Sequence, residues 1–325
     1  MKVVFISAAA LIAVYIVLSF SLFIIGFRRF PKNKVPRGAS DESTSKAWKS
    51  YGDTIREGMD WFYAQRHEDV EIRSFDGLRL RALLLEAEDP RGVVISMHGY
   101  RSTPMRDLGA SVKYYHDLGF TLLMPNQRAC GDSEGRYLTF GAKERRDVKS
   151  WCDYAAARWG SDMPIVAAGI SLGCSSVLMS LELDLPENVK AAVADCGYSS
   201  LYEQLCESAA RFFGIRRPGF VLWGVNIWCR LFAGFDIYEC SAANALRHSS
   251  VPVLFIHGEA DDFVPTRFSR ENYDACAAPK EIFTVPGAGH GLSYLVDMDG
   301  YHRRVEAWFD KYCPRKEYEH EIENQ

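Results

Sequence analysis

Residues 3–27 read VVFISAAALIAVYIVLSFSLFIIGF and hold no charged side chain. As a helix at ~1.5 Å per residue they would reach roughly 37 Å, enough to cross a hydrocarbon layer of ~30 Å with some tilt. A cleaved secretory signal also starts behind a lysine, but its apolar stretch runs only about 7–15 residues and ends in small residues. Here the run ends in Gly26-Phe27-Arg28-Arg29-Phe30, a poor cleavage context. The expectation is a retained single-pass transmembrane anchor over residues 1–30. Arg28, Arg29, Lys32, Lys34 and Arg37 follow the span while only Lys2 precedes it, so the positive-inside tendency puts the following domain in the cytoplasm.

The rest of the 325 residues suffices for one large domain. A formal net charge of −4 with scattered basic residues gives no hint of nucleic-acid binding, and no nucleic-acid partner is expected. The nine cysteines form no CxxC pair and have no histidine at zinc spacing; an odd set spread through apolar segments fits buried reduced thiols, in keeping with a cytoplasmic domain. No metal or cofactor motif is found. Residues 31–69 read as a juxtamembrane linker and an amphipathic helix, with Trp48, Tyr51, Ile55, Met59 and Phe62 at three- and four-residue steps.

From residue 70 to 325 the pattern alternates. Residues 70–75 and 79–86 form a hairpin around Asp76-Gly77. Short apolar runs at 92–97, 120–124, 164–169, 190–195, 251–257 and 280–285 suit strands covered on both faces, with helical stretches such as 140–159 between them. That order predicts an α/β fold with a mostly parallel eight-stranded sheet flanked by helices.

Gly169-Ile170-Ser171-Leu172-Gly173 follows one such strand and opens a helix. A turn so tight leaves no room for flanking side chains, and it holds the serine hydroxyl clear at a helix N-terminus. Ser171 is thus the expected nucleophile, and it needs a base to take its proton. Of eight histidines, His290 sits in the glycine-rich loop Pro286-Gly-Ala-Gly-His290-Gly291 after the last strand. Asp261, in the loop after the seventh strand, is the expected acid that orients the imidazole, with Asp262 and Asp195 as rivals. Ser171, Asp261, His290 is the serine, acid, histidine order of an α/β-hydrolase catalytic triad. The loop His98-Gly99-Tyr100-Arg101 after the third strand, with the residue after the nucleophile, points to the backbones of Tyr100 and Leu172 as the oxyanion hole; His98 braces that loop.

With HGY at 98–100, GISLG at 169–173, GEADDFVP at 258–265 and GAGHG at 287–291, residues 70–313 resemble the α/β-hydrolase superfamily. More closely, the chain looks like bacterial membrane-anchored serine hydrolases described as serine aminopeptidase-like or Bem46-like. Residues 126–135, NQRACGDSEG, are similar to that family's DxRGxGxSxG segment, with Asn126 for Asp and Ala129-Cys130 for Gly-His. The resemblance implies fold and triad, and a helical lid at about residues 199–248; it does not name a substrate.

That segment is rich in aromatic and aliphatic residues, from Phe212 to Phe235, which suits an apolar ester or equally a lid packed on its own domain. Three functions follow: a serine esterase (EC 3.1) cleaving a small-molecule apolar ester, lipid-derived or an acyl thioester; a serine peptidase of aminopeptidase type (EC 3.4); and a catalytically silent membrane-tethered binding protein.

Overall fold

A computed structural model describes residues 2–30 and 46–315. The linker expected at 31–45 lies outside the described residues. The sheet strands are β1 (Glu68–Arg73), β2 (Arg79–Leu85), β3 (Gly92–Met97), β4 (Phe120–Pro125), β5 (Ile165–Ile170), β6 (Val189–Asp195), β7 (Val253–Gly258) and β8 (Lys280–Val285). They are ordered β1-β2-β4-β3-β5-β6-β7-β8. β1 and β2 pair antiparallel, as do β2 and β4; every later pairing is parallel. β3, β4, β5 and β7 are buried along their whole length, which is why they read as continuous apolar runs rather than alternations.

The helices are α1 (Lys2–Phe27), α2 (Lys46–Lys49), α3 (Gly52–Ala64), α4 (Pro104–Asp117), α5 (Glu144–Trp159), α6 (Leu172–Ser180), α7 (Leu201–Phe213), α8 (Gly219–Trp228), α9 (Ala242–His248), α10 (Arg267–Ala275), α11 (Ser293–Val296) and α12 (Met298–Tyr312). One core layer unites the sheet with α5, α6, α9 and α10 through Trp151, Val177, Leu246 and Phe268. The other unites it with α3, α4 and α12 through Phe62, Val112, Val305 and Phe309.

α5 begins at Glu144, four residues later than the helical stretch expected at 140–159. Phe140 takes φ +51°, and the Glu144 carboxylate accepts from the amides of Thr139 and Gly141 and from the Thr139 hydroxyl. That side-chain box closes a turn before the helix can start.

α3 crosses α4 closely enough that a Cβ on Gly58 would meet the Gly109 carbonyl oxygen at 2.0 Å. The glycine pair lets the two backbones touch.

Between β6 and β7 lie α7, α8, a π-helical turn at Cys229–Ala233, and α9. α9 packs on α6 and α10 and buries Ala242, Ala245 and Leu246, so it belongs to the layer over the sheet. α7 and α8 project further out. α1 runs alongside α8. Its apolar length is exposed from Ala9 to Val14, whereas Ser19, Phe23 and Phe27 are buried, the two phenylalanines within the main core.

Candidate active site

β5 ends at Ile170 and α6 starts at Leu172, leaving Ser171 alone to reverse the chain. Its φ of +56° and ψ of −120° lie where a side chain is strained. The flanking glycines are sterically required. A Cβ on Gly169 would meet Gly173 backbone atoms at 2.5 Å, and one on Gly173 would meet the Met97 carbonyl oxygen at 2.1 Å. Strain and close contact together lift the hydroxyl of Ser171 above the sheet.

His290 follows β8 in a loop turned by Gly287 (φ +73°) and Gly291 (φ +68°). Its Nε2 lies 2.9 Å from the Ser171 hydroxyl, and its Nδ1 lies 2.7 Å from Asp261 Oδ2. Asp261 Oδ1 accepts from the amides of Phe263 and Val264, each at 2.9 Å. Burial alone would raise the Asp261 pKa, but hydrogen bonds and charge from His257 and His290 outweigh it and hold the carboxyl well below the usual carboxylate range. The serine, imidazole and carboxylate therefore form one continuous hydrogen-bonded chain, with the carboxylate charged and dry.

The rival acids stand elsewhere. Asp195 ends β6 and accepts from the Ser293 hydroxyl at 3.3 Å; burial pushes its pKa up to about 6, against opposing pulls from His257, Ser293 and His290. Asp262 points outward and pairs with Arg211 at 2.8 Å.

At the other side of Ser171, a Cβ on Gly99 would sit 3.4 Å from the serine Cβ. The loop is braced from three directions. His98 is fully buried; its Nε2 accepts from the Gln127 amide at 3.1 Å, so Nδ1 carries the proton and donates to the Gly99 carbonyl at 2.8 Å. Asp107, in the first turn of α4, accepts from the Gly99 amide at 2.7 Å and the Ser102 hydroxyl at 2.5 Å. The third brace is α1. Tyr100 donates its phenol to the Gly26 carbonyl at 2.6 Å, and Arg101 Nη2 donates to the carbonyls of Ile25 and Arg28 at 2.6 and 2.8 Å. Those are carbonyls of a helix C-terminus, which lack intrahelical partners and favour a cation. Among the described residues, the amides of Tyr100 and Leu172 donate to no protein group.

A cleft of about 200 Å³ opens here, lined by Trp48, Tyr100, Arg106, Ser171, Phe263 and His290 among others. Trp48 donates its indole N–H to the His290 carbonyl at 3.1 Å, so this residue of α2 forms one wall of the cleft. Its apolar periodicity marked it as a packing residue; nothing local signals a place beside the site.

His257 was also not legible. Fully buried at the end of β7, it shares Asp261 Oδ2 at 3.1 Å and the Val264 carbonyl at 2.8 Å through Nε2, while Nδ1 meets the Ser269 hydroxyl at 2.6 Å. Its four-residue spacing from Asp261 was the one available hint. Donor atoms of Cys196, Asp261 and His290 lie within 4.8 Å of one another. The Asp261 carboxylate is already engaged by two amides and two imidazoles, so this cluster is a hydrogen-bonded relay rather than a ligand set. All nine cysteines are free thiols.

The profile of the prolyl oligopeptidase family matches residues 107–315. The YqkD protein of Bacillus subtilis (strain 168), itself uncharacterised, is 24% identical over 243 residues, covering 74% of this chain and 78% of its own length. Among solved structures, the Pyrococcus furiosus esterase Pf2001 superposes with a TM-score of 0.62 at 22% identity, over 76% of this chain and 92% of the esterase. Est1E of Butyrivibrio proteoclasticus, solved with ferulic acid bound, gives 0.58 at 18% identity, over 76% and 100%. These likenesses show the α/β-hydrolase fold.

Proposed function

The chain belongs to the prolyl oligopeptidase family, and from that premise we propose that it is a membrane-anchored serine hydrolase cleaving a carboxylic ester through an acyl-enzyme on Ser171. The observation that carries this reading is the hydrogen-bonded chain from the Ser171 hydroxyl through His290 to Asp261.

His290 Nε2 takes the hydroxyl proton as Ser171 Oγ attacks the ester carbonyl carbon. Asp261 holds the Nδ1 proton in place and stabilises the imidazolium. The carbonyl oxygen becomes an oxyanion, for which the amides of Tyr100 and Leu172 are the donors; each such donor is worth roughly 3–4 kcal/mol of barrier. His290 returns the proton to the leaving alkoxide, and water, activated by the same imidazole, releases the acid.

The ester preference rests on an apolar surround and on the esterase titles of the similar structures. A peptidase reading is kept by the family name alone.

The anchor reading rests on a helix of mean hydropathy 2.6 over Ala9–Phe27 whose end is built into the domain. Phe23 and Phe27 are 0% and 1% exposed, so a signal peptidase would cut into the core. Arg29 donates to the carbonyls of Ser133 and Gly131, both at 2.6 Å; that cation is tied to the protein. A cytoplasmic domain is therefore supported by Arg28 and by Lys32, Lys34 and Arg37 of the linker.

A fluorophosphonate probe on the purified full chain tests the reading. Labelling that disappears in Ser171→Ala and His290→Ala supports it, and the absence of wild-type labelling favours a silent binding protein. Turnover of p-nitrophenyl esters against aminoacyl anilides separates esterase from peptidase.

A further inference from the structure

A helix on the surface of a soluble domain turns polar side chains out and apolar ones in. α8 is apolar on both faces: Leu222 and Val225 are buried against the domain, yet the outer face is apolar as well. Its sequence GFVLWGVNIW has one polar side chain, Asn226, which is 7% exposed and engaged inward with Asp236 and the Ile237 amide. Phe220, Trp223 and Ile227 face outward at 70%, 56% and 36% exposure, and Leu231 in the following turn continues the stripe at 69%.

The contact between α8 and α1 is also of the kind made between helices in lipid. A Cβ on Gly224 would strike the Tyr15 hydroxyl at 2.4 Å, so a glycine sits where the helices cross. Tyr15 donates to the Phe220 carbonyl at 2.7 Å, and Trp228 donates its indole N–H to the Ser19 hydroxyl at 3.0 Å. Aromatic rings fill the remainder: Tyr15 on Phe220 at 4.5 Å, and Phe20 on Trp228 at 5.1 Å.

Length decides where that pair must sit. α1 meets α8 from Tyr15 onward; the charged Lys2 bounds the apolar run, and from there to residue 14 the helix covers only about 20 Å at ~1.5 Å per residue, short of a ~30 Å hydrocarbon layer. If α1 spans, residues 15–21 must supply the remaining ~10 Å, and they carry Phe220, Trp223 and Gly224 alongside them. Resting on the anchor reading above, we infer that the lipid bilayer is the partner of the outer face of α8: the lid helix is embedded beside α1 rather than held in water.

Arg216 and Arg217 just before α8 are exposed, and as cations they must stay within reach of the headgroups, which limits how deep the first turn of α8 can lie. Phe212, at the near end of α7, packs 6.1 Å from Phe263, which lines the cleft and lies 5.0 Å from His290. The rim of the cleft thus adjoins the embedded face, and the substrate class this favours is an ester whose acyl chain resides in the same bilayer.

The test uses the full chain in phosphatidylcholine vesicles whose acyl chains are brominated near their middle, compared with unbrominated vesicles. Tryptophan emission is read for wild type and for Trp223→Phe, a conservative change at an exposed site, after an alkaline carbonate wash. Retention through the wash, with the larger part of the bromine quenching lost in Trp223→Phe, is the expected result. Retention with equal quenching in the two proteins overturns the inference and leaves the anchor reading standing. Release by carbonate overturns both. Phe220→Asp should in addition lower the ratio of vesicle-borne to water-soluble ester turnover at least fivefold; an unchanged ratio overturns the lipid-borne substrate class.

Discussion

Arg101→Ala removes a guanidinium that ties the loop beside Ser171 to the end of α1 while keeping the Cβ, so the strain of φ +51° stays as it was. The hydrogen bonds lost to α1 are those at 2.6 and 2.8 Å to the carbonyls of Ile25 and Arg28, and the guanidinium also leaves the face of the Phe30 ring, 3.6 Å from its centroid. Charged hydrogen bonds are worth about 1.5–3 kcal/mol when buried, and a cation at a helix C-terminus adds about 0.3–1. Arg101 is partly exposed, so roughly 1.5 kcal/mol is a fair total after screening. Spent wholly on the position of the Tyr100 amide, that energy changes the aligned population by at most about tenfold. Loss of an oxyanion donor outright costs about 10²–10³. Steady-state kinetics of the full chain on a short p-nitrophenyl ester should therefore show kcat lowered three- to tenfold, with KM unchanged and fluorophosphonate labelling slowed in parallel. Tyr100→Phe, which keeps the ring on Phe140 and removes the bond to Gly26, should lower kcat about fivefold or less. Unchanged kcat and labelling in Arg101→Ala beside a lowered Tm would refute the reasoning, because the clamp would then serve the fold alone. A loss beyond a hundredfold would refute it from the other side.

Asp195 has a pKa raised by burial to about 6, above the roughly 3.9 of an unfolded chain. Its contribution is therefore fully present below pH ~3.9, lost as pH rises to about 6, and a constant cost above it. At ~1.4 kcal/mol per unit, Asp195→Asn should be more stable than wild type by up to about 3 kcal/mol at pH 7.5 and equal to it near pH 4, read as the Tm difference at the two pH values. Phe27→Ala should cost about 3–5 kcal/mol, as for a buried ring, in denaturant unfolding; a change below 1 kcal/mol would mean that α1 is a detachable tether. His257→Leu removes a hydrogen bond to a buried carboxylate and orphans the Ser269 hydroxyl, so about 2 kcal/mol should be lost; an unchanged unfolding midpoint would show that Asp261 needs only His290.

Local signals made much of the molecule readable. The β3, β5 and β7 runs could be located because a strand buried on both faces must be apolar throughout, and the turn at Ser171 because only glycine tolerates the contacts at 169 and 173. α5 starts at Glu144 rather than at 140, since the Glu144 carboxylate competes with helix geometry in a way that apolar periodicity does not record. Trp48 gives no local sign of standing beside the site, and His257 only its four-residue spacing from Asp261. Each meets it through a contact set by packing, across 242 residues in the case of Trp48 and His290.

The amino-acid order by itself determined the sheet elements, the serine turn and the apolar first helix, because those follow from sterics and hydropathy within a few residues. Tertiary structure alone decided which of three carboxylates faces His290, that a second imidazole shares it, and that the end of α1 is capped by the loop beside Ser171. It also decided that α8 turns its one polar side chain inward. Such pairings depend on where distant segments come to rest, and a hydrogen bond of 2.7 Å between residues 29 apart leaves no periodicity to read.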